Sequence, residues 1–393
     1  MRPLPDRAGF ALAAAIIAIA VIAALIAGAF FASSQEHRIG RSSIVQQSTF
    51  AEAELAGTTF LRGWDTTWNR TMRRGDVISR IVSSAGGALS TATLTRLNRS
   101  TFWVASSAQQ TGEVGVGVGP AVGERGAQRG IGMLMRLRVP DLSLPAAITT
   151  ASRTSITATG IMSGADVNPA GWECDDAGPS KALLAGDGTT VPPVTDSLWA
   201  ELVALANITI DAGALGAILA TPRPSFTVGG RCDEADAANW GDPDRAAGNG
   251  VTGAGGAGGA GGAGACEQYF PIVRIAGSGP VTIGGAAATG TGQGILLVDG
   301  PLEIAGGIDF SGLIIARGTV RITGAGNSVR GALVSLDAAC GAADQVAGNP
   351  GTGTPCNVVA GDAHVQYSSC AVSTPFYIRA TPELASRWWA ELH

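Results

Sequence analysis

The chain has 393 residues, room for two or three domains and a sizeable core. Hydrophobic residues make up 46%, charged residues 15% and aromatics 5%, while 57 glycines double the usual share of roughly 7%. That composition excludes a helical bundle and points to turns and short strands; the net charge of −5 argues against a nucleic-acid binder. Lys181 is the one lysine, which removes the Walker phosphate loop and Schiff-base chemistry.

Residues 1–9, MRPLPDRAG, form a short leader with Arg2 and Arg7 against Asp6. Residues 10–31 then run from Phe10 to Phe31 without a charge. As a helix they span about 33 Å, enough to cross a hydrocarbon core of about 30 Å. The basic bias of the leader predicts a cytoplasmic N-terminus and an extracytoplasmic remainder. Residues 32–62 contain no proline and place Ile44, Ala51 and Leu55 on one face, so the helix is expected to continue, with Gly40 its weak point.

Residues 63–247 read as a β-rich head. Trp64 and Trp68 sit four apart, a spacing that favours packing on that head over contact with a partner. Strands are expected over 101–106, over 132–148 up to Pro140, and over 155–164. GEVGVGVGP at 112–120 lacks the helix and lysine of a nucleotide loop. One helix is predicted near 195–206, capped by Thr195 or Asp196. Glu173, Asp175, Asp176, Asp233, Glu234 and Asp236 lack the alternation of a calcium loop and read as solvated loops.

Residues 248–265 are a Gly/Ala linker loop. Within 266–393 the chain repeats itself. Gly294 to Ile304 aligns with Gly312 to Ile322 at an offset of 18, and Ala332-Leu333-Val334 follows at 19. Gly279 to Ile283 resembles half of an earlier copy. Short strands with glycine corners at this period predict stacked rungs of a small β-solenoid. The offset pairs Asp299 with Arg317 and Glu303 with Arg321, as neighbouring rungs prefer. A cap is expected from a strand at Val365 to Ser368 and a helix from Pro382 to Leu392, with Trp388 and Trp389 as apolar cover. The fold class expected is α+β, mainly β.

Cys174, Cys232, Cys266, Cys340, Cys356 and Cys370 have no CxxC spacing and fit disulfides in an oxidising compartment. Six cysteines allow fifteen connectivities; proximity favours Cys174 with Cys232, and Cys340 with Cys356 or Cys370. His37, His364 and His393 form no metal motif, and no nucleophile elbow occurs. Asp299, Glu303 and Asp309 lack an acid/base constellation, so neither catalysis, nor a metal, nor a cofactor is expected.

Arg7-Ala8-Gly9 before Phe10, the apolar helix, Gln35 to Ser43, and Phe50-Ala51-Glu52-Ala53-Glu54 together resemble the type IV pilin and pseudopilin class. The closest likeness is to PilX-type minor pilins, over about the first 60 residues. The resemblance implies a bacterial inner-membrane subunit, cut by a prepilin peptidase between Gly9 and Phe10 and methylated on the new terminus. It would pack its helix among other pilin subunits in a filament reaching outside the cell. Ala14 stands where major pilins carry a Glu that meets a neighbour's terminal amine. A buried ammonium needs such a partner, so Ala14 implies a tip or initiating position. The rival expectation is a single-pass anchored envelope or adhesin-like protein that never polymerises.

Overall fold

Helix α1 (Ala8–Arg62) runs unbroken for 55 residues in the computed structural model, about 80 Å at 1.5 Å per residue. Gly40 does not interrupt it: the segment holds no proline, and nothing lies within 4 Å of a Cβ placed there. The structure describes residues 8–83, 89–110, 127–140, 142, 144, 146–152, 154–157, 159–170, 172, 174, 181–185, 194–214, 222–243, 266–285, 289–337 and 356–392. The 112–120 segment, the 248–265 run and Cys340 fall outside them.

After α1 and the single turn α2 (Thr67–Thr71) come β1 (Val77–Ser83), β2 (Leu89–Arg96), β3 (Thr101–Gln110) and β4 (Ala127–Arg138). They form an antiparallel sheet completed by the C-terminal strand β19 (Thr381–Leu392), in the order β1-β2-β3-β4-β19. Alternation sets its two faces. Leu94, Phe102, Val104, Met133 and Met135 lie buried on the side that receives α1, while Thr93, Trp103 and Leu134 occupy the other.

The remaining strands are parallel. They are β5 (Ala146–Thr150), β6 (Thr154–Ile156), β7 (Met162–Ser163), β8 (Lys181–Ala185), β9 (Ile208–Asp211), β10 (Ile272–Ala276), β11 (Val281–Ile283), β12 (Gly290–Val298), β13 (Leu302–Ile304), β14 (Ile308–Ala316), β15 (Val320–Ile322), β16 (Ala325–Ser335), β17 (Asn357–Val359) and β18 (Asp362–Tyr367). From β10 to β18 the chain alternates between two sheets, β7-β18-β16-β14-β12-β10-β9 and β11-β13-β15-β17-β6. The 18-residue offset is the pairing register: Gly294 lies beside Gly312 and Leu302 beside Val320, and β16 follows at 19 with Gly312 beside Gly331. Strands from both sides of the 248–265 run share these sheets.

One column shows why glycine recurs. Gly294, Gly312 and Gly331 have φ of 111°, 153° and 144°. A Cβ on Gly312 would lie 1.9 Å from the Gly294 carbonyl oxygen, and one on Gly331 1.8 Å from that of Gly312. Only a residue without a side chain allows each strand this close to its neighbour at this column. Next to the column, Leu313, Ile314, Ile315 and Ala316 form a continuous buried run. Helix α3 (Asp196–Ala204) adds Trp199 and Leu202 to the same core, with Thr195 as its N-cap accepting from the Leu198 N–H.

The C-terminus departs from expectation. Pro382 to Leu392 is strand β19 rather than helix, because β4 has an edge to fill and takes it from Gly130 to Arg138. The helix of this region lies earlier, as α4 (Ser369–Arg379), packed on the face of β12, β14 and β16, and tolerates Pro375 within it. Trp389 is 61% exposed and covers no core, and the Trp388 side chain is outside the described set. The charges expected to pair between neighbouring strands also pair differently. Asp299 binds Arg274 of the neighbouring β10 at 2.7 Å, and Arg317 reaches Asp196 at 2.7 Å. Glu303 lies beside Arg321 in the register, but its carboxylate accepts from the Thr323 hydroxyl.

Candidate functional site

Helix α1 changes character along its length. From Leu12 to Phe31 every residue is exposed, with Leu12, Ile19, Leu25 and Phe30 between 67% and 75%. By length and composition this stretch is enough to cross a membrane, and none of it is buried within the protein. Gly9 and Phe10 lie in the first turns of the helix, and Ala14 is exposed on it. His37 and its neighbours from Ser33 to Ser43 likewise touch little else.

Docking begins at Thr49 and continues through Ala53, Ala56, Gly57 and Phe60, which are buried against β2, β3 and β4. Gly57 sets the approach. A Cβ there would sit 2.5 Å from Met133 Cε and 3.0 Å from Ser106 Oγ, so helix and sheet meet at glycine distance. Trp64 and Trp68 do pack on the head. Trp64 meets Phe102 edge-on at 5.2 Å and donates to Asn69, and Trp68 stacks on Phe60 at 5.3 Å beneath the Arg80 guanidinium. Asp65 accepts from the backbone and side chain of Thr67, which holds its carboxyl below the usual range. On the outer flank Arg129 joins Gln46 of α1 to Glu391 of β19, both at 2.9 Å.

Polar side chains then tie the antiparallel sheet to the parallel pair. Asn69 donates to the Ala380 carbonyl at 2.8 Å, just beyond α4, and Arg99 donates to Ser373 and to the Cys370 carbonyl. Arg379 reaches back to Asn207 and the Phe270 carbonyl, and its burial lowers its pKa from the usual value. Burial also pushes Tyr269 up to about 12, with Glu234 adding to the effect, and raises Tyr367.

The cysteines pair otherwise than proximity suggested. Cys174 bonds Cys370, 196 residues away, and Cys232 bonds Cys266. Separation along the chain misleads here, because α4 carries Cys370 against the segment holding Trp172 and Cys174. Cys370 is therefore not a partner for Cys340; Cys356 is disulfide-bonded too. Asp233 and Asp236 accept from the N–H groups of Ala235 and Ala238, ordinary turn bonds, while Glu173, Asp175 and Asp176 lie outside the described residues. Asp299, Glu303 and Asp309 bind Arg274, Thr323 and Arg330 respectively. Among the described residues no three His, Cys, Asp or Glu side chains gather to hold a metal.

Sequence reasoning missed Gly57 as the docking point and the Gln46–Arg129–Glu391 clasp. The small residues Ala53, Ala56 and Gly57 on one helical face carried a signal for the first. Nothing local signals the second, since its members come from three distant segments. No family model, no curated protein and no solved structure matches this chain.

Proposed function

We propose that the chain is a non-enzymatic subunit of a type IV pilus or type II secretion-like filament, a minor pilin or pseudopilin of the PilX type. The observation that carries this reading is the division of α1. Its first part offers lipid or neighbouring helices an apolar surface with nothing of its own to cover it, and its last three turns are locked to a β-sheet by Gly57 and the Trp64–Trp68 cluster. A helix so divided sits in the inner membrane with the head outside, then packs among other pilin helices without disturbing the head. Prepilin peptidase would cut between Gly9 and Phe10. Ala14, exposed and apolar, leaves a neighbour's terminal ammonium without a carboxylate and favours the tip or the initiating complex. We read the parallel part as a short β-solenoid, supported by strands that alternate between two sheets at 18- and 19-residue steps. The head then serves as a rigid contact module, with no catalytic role, cofactor or nucleic acid.

The test is the intact N-terminal mass of chain recovered from a host with an active prepilin peptidase. A chain starting at methylated Phe10 is the expected result. A chain still starting at Met1 sinks the filament reading and leaves the second one, a single-pass anchored envelope protein, which the missing Glu at Ala14 equally suits.

A further inference from the structure

The three sheets expose seven edge strands among the described residues, and six are protected. Strands β6, β7, β8, β9 and β11 have five residues or fewer, too short to template a long partner. Strand β19 is long but carries Pro382, a register shift between Leu384 and Trp389, and the charged Glu383 and Glu391. Strand β1 keeps only one such guard, the charge of Arg80, and that lies on its α1 face. It reads VISRIVS, pairs with β2 over all seven residues without a bulge, and contains neither proline nor lysine.

The backbone of β1 faces outward in a regular way. Arg96 N–H donates to the Asp76 carbonyl, which sets the alternation so that Ile78, Arg80 and Val82 bond toward β2. Val77, Ser79, Ile81 and Ser83 therefore aim their N–H and C=O groups away from the sheet. The side chains of Val77 and Ile81 are 59% and 74% exposed, on the face opposite α1. Arg80, the single charge on the strand, leans over Trp68 on the α1 face, with Asp65 in its field but no ion pair to it.

We propose that β1 is a docking edge for an extended strand of another protein, one that alternates apolar residues over Val77 and Ile81 with an acidic residue opposite Arg80. Main-chain bonds would supply the affinity and the alternating side chains the selectivity. A second copy of this chain is a poor occupant, an argument that rests on the membrane-anchored reading of α1. Antiparallel pairing of two β1 strands is generated by a twofold axis normal to the sheet. That axis reverses α1, which lies along the sheet face, so the two helices could not enter one membrane from the same side. Parallel pairing of two copies turns the faces over and sets Val77 and Ile81 against Arg80.

The experiment uses the full chain in lipid nanodiscs and an end-blocked peptide, Val-Thr-Val-Glu-Val-Thr-Val, read by amide hydrogen exchange. Expected is slowed exchange at Val77, Ser79, Ile81 and Ser83 with β3 unchanged, and a dissociation constant below about 1 mM. Replacing the central Glu of the peptide by Lys should weaken binding about two- to tenfold. Ile81→Lys in the protein should abolish it while leaving the melting temperature in place, and Ser79→Pro, which removes an outward N–H, should do the same. Unchanged exchange of β1 at several-fold excess of peptide over about 1 mM overturns the proposal. So does protection of β1 without peptide in a dimer that Ile81→Lys dissolves. An uncut N-terminus in the processing experiment leaves this result standing, so the two readings fail separately.

Discussion

The antiparallel sheet and the parallel pair bury apolar surface by different routes. In β2 every second residue from Ser90 to Arg96 is buried, and the buried face is supplied with a partner by α1. In β14 eight of nine residues are buried, because they share one core with residues of the smaller sheet and α4 packs against the strand. Within the parallel region β12 to β16 pair at offsets of 18 or 19 residues, while β5, β6, β7 and β9 join from much farther along the chain. The antiparallel region must bring together α1, β4 and β19 from opposite ends of the chain. One has local copies at its centre and the other must be closed by pieces from both ends of the chain, so they should respond differently to damage.

The largest response expected is to loss of Cys174–Cys370. Paired Ser substitutions open a loop of 196 residues, worth about 5 kcal/mol by chain entropy, against about 4 kcal/mol for the 34-residue Cys232–Cys266 loop. Urea midpoints of the two variants would rank them, and equal midpoints would break the idea that distant closure matters more. Next comes Gly312→Ala, which drives a Cβ into the Gly294 carbonyl and should cost about 3 kcal/mol. Its effect belongs in the parallel region, with exchange protection of β2 and β3 retained. Gly57→Leu overpacks Met133 and Ser106 but gains helix propensity, leaving a net loss of about 1–2 kcal/mol. That loss should appear as faster exchange in β3 and β4, not in β14.

Smaller effects sharpen the same contrast. Arg129→Ala removes a partly exposed clasp and should cost at most about 1 kcal/mol, less at high salt. The phenols report on the parallel side. Tyr269 is raised to about 12, so the folded state holds a proton that the unfolded chain loses near pH 10. Its contribution is complete below about pH 10 and fades as pH climbs toward about 12. Phenolate absorbance should therefore rise late, and this part of the melting temperature should fall between roughly pH 10 and pH 12. A Tyr269→Phe variant that keeps the same alkaline loss would assign it elsewhere.

Much of the parallel region was legible because its signal repeats. The offset between Gly294 and Gly312 is the pairing register itself, and Thr195 marks the start of α3 by its side-chain bond to Leu198. The apolar run beginning at Phe10 likewise announces its own exposure. What failed were contacts set by distant partners. Pro382 to Leu392 has good helix formers, yet the open edge of β4 outweighs their propensity. Asp299 prefers Arg274 to Arg317 because Arg317 is drawn to Asp196 at the start of α3, and over the Trp199 ring. The cysteine pairs depended on where α4 lands, and Pro375 disguised that helix. The clasp at Arg129 joins three segments that no single window of sequence contains.

The position of β19 also has a meaning in time. Its partner β4 ends at Arg138, and β19 begins at Thr381, so roughly 240 residues must be made before the sheet can close. At about 5–20 residues per second, β4 waits some 12 to 50 s with its edge unpaired. The Cys232–Cys266 bond can form midway through that interval, whereas Cys370 arrives only near its end. The newborn chain thus presents a bare strand for most of its synthesis, and its safe maturation depends on whatever shields Gly130 to Arg138 until the last dozen residues return.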